Sequence, residues 1–133
     1  MSRRSKGFTL IELLIAVAIV ATLAGVAYPG YTNHMKRVYR TEIASLLTEQ
    51  AQYLERYYAR NGTFIDAGGV SAGNDHYRIA VVLNPQDFNL VATPIIGSVM
   101  MGDLCGDFRL TSSGVGSNPT AAPEMSRKAC WGR

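Results

Sequence analysis

Histidine and cysteine are scarce: the 133-residue chain carries two of each, with a single tryptophan. His34 and His76 share no metal-ligand spacing with each other or with Cys105 and Cys130, so no metal site is expected. The glycines at Gly68, Gly69 and Gly73 lack the Lys-Ser/Thr of a phosphate-binding loop and read as a flexible surface loop. No constellation of nucleophile, base and acid assembles, and neither catalytic residues nor a cofactor are expected. Charge is scarcer still near the start. From Phe8 to Tyr28, Glu12 is the only charged residue.

That run of 21 residues would make a helix of roughly 31 Å, enough to cross a hydrocarbon core of ~30 Å. A carboxylate at bilayer depth costs about 2.5–3.5 kcal/mol on insertion scales, so Glu12 needs a partner. A secretory signal peptide would have a shorter apolar stretch and no acid in it. The small residues Ala24-Gly25-Val26-Ala27 give that reading a weak cleavage site. A plain single-span anchor fits the length and leaves Glu12 unexplained.

The segment Lys6-Gly7-Phe8-Thr9-Leu10-Ile11-Glu12-Leu13 resembles the class III leader of type IV pilins and related pseudopilins. The resemblance implies a cut between Gly7 and Phe8 by a prepilin peptidase that also N-methylates Phe8. It implies a cleaved leader at 1–7, a transmembrane and filament-core helix at 8–28, and a periplasmic globular domain at 29–133. Glu12 lies four positions from the new amine, about one helical turn, close enough to neutralise its own amine or that of a neighbour. In the family this carboxylate is thought to pair with the terminal amine of an adjacent subunit, giving assembly its register. The Leu54-Glu55-Arg56-Tyr57-Tyr58 to Asn61-Gly62 helix end and the terminal Ala129-Cys130-Trp131 are most similar to minor pilins of the PilE type.

The implied partners are the peptidase/N-methyltransferase, major and other minor pilins, the pilus assembly machinery and the inner membrane. The chain would be a single-pass inner-membrane protein before assembly and part of an extracellular pilus afterwards. It would prime or join filaments used for twitching motility and adhesion. A major pilin and a type II secretion pseudopilin are the near alternatives, the latter disfavoured by the cysteine pair. An anchored DNA-uptake receptor or an anchored enzyme is the rival of a different class.

The net charge of +3 does not establish a nucleic-acid surface. Arg3, Arg4 and Lys6 leave with the leader, so of 13 basic side chains ten remain against ten acidic ones. A local patch at Lys36, Arg37 and Arg40 remains, without firm evidence for nucleic acid. Leader charge places the N-terminus in the cytoplasm by the positive-inside rule, while that same patch argues the other way. In an exported chain Cys105 and Cys130 read as one disulfide, with two reduced buried cysteines as the alternative. Asp103 and Asp107 bracket Cys105 and read as turn residues. A calcium site, as in a comparable pseudopilin loop, is the sharper alternative.

Beyond the apolar run, Tyr31, Met35, Val38, Tyr39, Ile43, Leu46, Leu47, Ala51, Leu54, Tyr57 and Tyr58 recur mostly at steps of three and four. They predict an amphipathic continuation of the same helix, stopped at Asn61-Gly62. Gly25 and Pro29 predict a kink or local melting. Strands are predicted at 77–83, 88–93 and 107–111, and a loop-rich tail from Val115 to Arg133. The expected fold class is α+β, the type IV pilin fold: one long helix on a small antiparallel sheet, with a C-terminal disulfide loop.

Overall fold

A computed structural model of the chain describes residues 5–132. Helix α1 runs Leu10–Asn61, and the elements that follow are β1 (Tyr77–Leu83), β2 (Phe88–Pro94), β3 (Phe108–Thr111), β4 (Gly116–Ser117) and α2 (Arg127–Trp131). The chain divides into two units, Met1–Met35 and Lys36–Arg133.

In the first unit, α1 is helical through both Gly25 and Pro29. Pro29 has no N–H to give the Gly25 carbonyl, so this turn lacks one ladder bond while keeping its helical path. Apolar side chains are exposed on every face here, Leu10, Leu14, Val17, Val20 and Leu23 among them. The stretch is long and apolar enough to cross a membrane.

In the second unit, helical periodicity turns Ile43, Leu47 and Leu54 fully inward. Each buried aliphatic side chain contributes about 1.5–3 kcal/mol relative to exposure. They meet the inward residues of an antiparallel sheet ordered β1-β2-β3-β4. Alternation supplies those residues: Tyr77 and Ile79 from β1, Phe88, Leu90 and Ala92 from β2, Phe108 and Leu110 from β3. Register pairs Ile79 with Ala92 and Leu90 with Leu110, so inward residues stand opposite one another.

Helix α1 ends where Gly62 enters the left-handed region at φ 71°. Its N–H returns to the Tyr58 carbonyl at 2.7 Å, which closes the last turn. Tyr53, Tyr57 and Tyr58 then fasten the following loops: their hydroxyls reach Gly68 O, Ile65 O and Gln86 Oε1. These tyrosines act in packing within the domain, and Tyr58 also stacks on Phe64. Tyr31 stays exposed.

The tail departs from the loop expected of it. Gly116–Ser117 pairs with β3 through Gly116↔Leu110 and Ser117↔Arg109, and a short helix follows. Ser126 caps that helix by accepting the Ala129 N–H, and Gly132 closes it in the left-handed region. Cys105 and Cys130 are disulfide-bonded, with Cα atoms 5.7 Å apart.

Candidate functional site

Around Gly7 and Phe8 the backbone has no regular structure, and helix begins only at Leu10. Phe8 is 91% exposed, and a side chain added at Gly7 would meet no atom of the described residues within 4 Å. The described fold therefore sets no limit on residue size at Gly7.

Thr9 and Glu12 form a reciprocal cap at the start of α1. The Glu12 N–H donates to Thr9 Oγ1 at 3.2 Å, and the Thr9 N–H donates to Glu12 Oε2 at 3.0 Å. This is the Ser/Thr-x-x-Glu capping box, which satisfies two otherwise unpaired backbone donors. The sequence points Glu12 to an amine, that of Phe8 or of a neighbour, and the cap with Thr9 is a further local partner. Its signal was present as Thr9-x-x-Glu12 directly ahead of an apolar run.

The second unit holds a different polar constellation. Arg40 on α1 donates from Nε to Asp103 Oδ2 at 2.8 Å and from Nη2 to Oδ1 at 2.6 Å. The Asp103 side chain is 1% exposed and that of Arg40 12%. Burial alone would push the Asp103 carboxyl up. The Arg40 bonds and charge, the Cys105 N–H and the Lys36 charge outweigh it, leaving Asp103 below its ordinary value. The Tyr77 hydroxyl is pushed up, first by burial and then by the Asp103 charge, with Arg40 opposing. Both carboxylate oxygens of Asp103 face Arg40, so Asp103 serves as an ion-pair anchor and not as half of a cation site with Asp107. No group of three or more metal-ligating side chains occurs among the described residues. Arg40 likewise leaves the basic patch, and Lys36 and Arg37 remain of it.

Beside the disulfide, Trp131 donates from Nε1 to Asn118 Oδ1 at 2.7 Å and packs edge-on to Phe108. A Cβ on Gly116 would come within 3.0 Å of the Trp131 ring, so any other residue there would have to push the ring aside. Trp131 is thus a packing residue and not a free platform for ligands. An open groove of about 1030 Å³ lies between the polar face of α1 and the β3–β4 end of the sheet. Glu49, Glu55, Arg56 and Arg127 line it, so both signs are represented and a polyanion is not selected.

A helix laid on a four-stranded antiparallel sheet, with a C-terminal staple, defines a fold that the comparisons identify. The family described as "Type IV minor pilin ComP, DNA uptake sequence receptor" matches residues 29–109. The "Prokaryotic N-terminal methylation motif" matches residues 2–28. Fimbrial protein EcpC of Eikenella corrodens is 34% identical over 97 residues, covering 70% of this chain and 63% of that protein. A type IV major pilin, PilE1 of Neisseria gonorrhoeae, is 38% identical over 78 residues, covering 56% of this chain and 36% of that protein. The chain therefore spans less than two thirds of the length of these relatives. A type IV pilin from Shewanella oneidensis superposes with a TM-score of 0.55 at 26% identity, covering 72% of this chain and 97% of that one. The non-core minor pilin PilV of Neisseria meningitidis gives 0.55 at 25% identity, covering 74% and 96%. The chain belongs to the type IV pilins, and within them to the ComP family. That family is structural and non-enzymatic.

Proposed function

We propose that the chain is a minor subunit of a type IV pilus, stored in the inner membrane and drawn into the filament after processing. The observation that carries this reading is the exposed apolar half of α1, with Glu12 as its only charge. Such a surface must be covered by lipid before assembly and by other subunits after it. The ComP match over residues 29–109 supports minor over major status, although major pilins are among the relatives. In this reading the peptidase cuts Gly7–Phe8 and methylates Phe8. Glu12 then pairs with a neighbour's amine, and the turn at Gly25 and Pro29 yields where neighbouring helices crowd. The globular unit faces the periplasm until the pilus emerges outside the cell.

Mass spectrometry of sheared pili tests this reading. The mature chain is expected to begin at N-methylated Phe8 and to be far less abundant than the major subunit. A terminus at Met1 or Ser2 in pilus-incorporated protein would overturn the processing. Abundance equal to the bulk of the fibre would make it a major pilin.

A second reading, reception of DNA, is supported by the description of the ComP family. The sequence offers no firm evidence for it, since basic and acidic side chains balance after processing. Duplex DNA titrated with the purified full chain in detergent at two salt concentrations separates the readings. A receptor binds one sequence over its scramble and loses affinity steeply with salt. A purely structural subunit does neither.

A further inference from the structure

The segment between β2 and Cys105 is apolar where an exposed loop is ordinarily polar. Pro94–Gly102 contains no charged residue. Ile96 is 89% exposed, and Val99, Met101 and Leu104 are about half exposed. The backbone beneath them is fixed by successive turns: Ser98 N–H to Ile95 O at 3.0 Å, Met101 N–H to Ser98 O at 3.1 Å, Asp103 N–H to Met100 O at 3.1 Å. Gly97 N–H reaches Met101 Sδ at 3.3 Å, which holds the thioether next to Ile96. Buried Met100 and Asp103 anchor the far end. An ordered loop thus presents several apolar side chains to water, the signature of a surface with an occupant.

Position, charge and chemistry favour a lipid surface as that occupant. Asp103 is bonded to Arg40, and the Tyr39 ring lies 3.9 Å from that of His76. The His76 carbonyl in turn accepts the Ile95 N–H, so the loop is tied to the first turns of α1 in the second unit. Tyr39 lies eleven positions after Tyr28, the end of the apolar run. That tether reaches ~17 Å as helix and at most ~40 Å if extended, which bounds how far Tyr39 can stand from the end of the run. Lys36 and Arg37 lie on those same turns, Lys36 close enough to act on the Asp103 carboxylate. Arg40 neutralises Asp103, and Asp75 is an exposed acid beside His76. Ile, Val, Met and Leu flanked by cations suit shallow insertion among anionic headgroups.

We propose that the 94–104 loop docks on the anionic membrane surface before assembly, with its apolar side chains at the acyl boundary and Lys36 and Arg37 against headgroups. The inference rests on the reading that the apolar run spans that membrane. The test uses the full chain, sparsely reconstituted in phosphatidylcholine vesicles with or without phosphatidylglycerol. Ile96→Trp reports on the loop, Val82→Trp on the outer sheet face is the water-exposed control, and the unsubstituted chain supplies the Trp131 background. Emission of Ile96→Trp is expected to shift to the blue and to be quenched by brominated lipid. Phosphatidylglycerol should increase both effects, and Lys36→Gln with Arg37→Gln should remove that increase. Ile96→Trp behaving like Val82→Trp, in protein that still resists alkaline extraction, overturns the docking alone. Protein that leaves the vesicles on alkaline extraction overturns the membrane reading beneath it. A blue shift confined to high protein-to-lipid ratios assigns the loop to a second copy of this chain and also overturns the proposal.

Discussion

Arg40 and Asp103 stand 63 positions apart in sequence and meet through two parallel hydrogen bonds in a site almost closed to water. The pair fastens the loop before the disulfide directly to α1. Removing one partner strands the other charge, which is costlier than never having had the pair. Arg40→Ala is expected to lower stability by about 3 kcal/mol at neutral pH, measured by urea unfolding of the full chain in detergent.

The same pair sets an acid limit. Asp103 lies below its ordinary value when folded and returns to it on unfolding, so the unfolded chain takes up the proton first as pH falls. The contribution is complete above the unfolded value, near pH 4, and is lost as pH drops through the folded one. In Arg40→Ala, protonation relieves the stranded carboxylate instead. The stability gap between wild type and variant should therefore narrow below about pH 4, as unfolding curves at pH 7 and pH 3 would reveal.

Reduction of Cys105–Cys130, or Cys105→Ser, frees a loop of sequence separation 25. On the chain-entropy model the loss is about 3.5 kcal/mol, or a fall in Tm of roughly 15 °C or more for a domain of this size. Because Cys130 lies next to Trp131, the near-ultraviolet signal of the tryptophan should weaken with it. Non-reducing peptide mapping of native protein should find one bridge and no free thiol.

Glu12→Gln separates the cap at the start of α1 from the pairing with a neighbour's amine proposed above. Glutamine still accepts the Thr9 N–H, so the helix start survives, but the charge that the proposed pairing requires is gone. Membrane insertion should be retained and filament incorporation lost, read by comparing membrane and sheared-pilus fractions. Thr9→Val removes the other half of the cap at a cost of about 1 kcal/mol, and Thr9→Ser should restore it. Normal incorporation of Glu12→Gln would assign the carboxylate to capping alone.

Gly116→Val would drive a side chain into the Trp131 ring, which lies only 3.0 Å from where a Cβ would be placed. A loss of about 1–3 kcal/mol is expected, together with disturbed near-ultraviolet circular dichroism. Gly114→Ala, at a φ of 81°, carries backbone strain but should leave the Trp131 signal unchanged, since nothing lies within 4 Å of its added Cβ.

Local chemistry made much of this legible in advance. The β-branched run Tyr77–Leu83 ahead of Asn84-Pro85 marked β1 at both ends, and Asn61-Gly62 marked the stop of α1. The spacing of Ile43, Leu47 and Leu54 identified the buried stripe before any partner was known. Helix α2 escaped because five residues are too few for periodicity, although Ser126 and Gly132 bracket it as caps. Two-residue β4 exists only because β3 is beside it. Arg40 and Asp103 were each read alone, one as part of a basic patch and the other as a turn or cation residue. Nothing within a window of sequence can say that two distant charges consume each other.

The cystine also conceals length. Under tension, an unfolding domain lengthens by the contour of every residue set free, and those between Cys105 and Cys130 stay looped off. At ~3.5 Å per residue, the 25 steps between the two cysteines withhold roughly 85 Å of extension until the bond is reduced. A fibre subunit built this way yields less when pulled. Its compliance at high load is set by the redox state of its surroundings as well as by its packing.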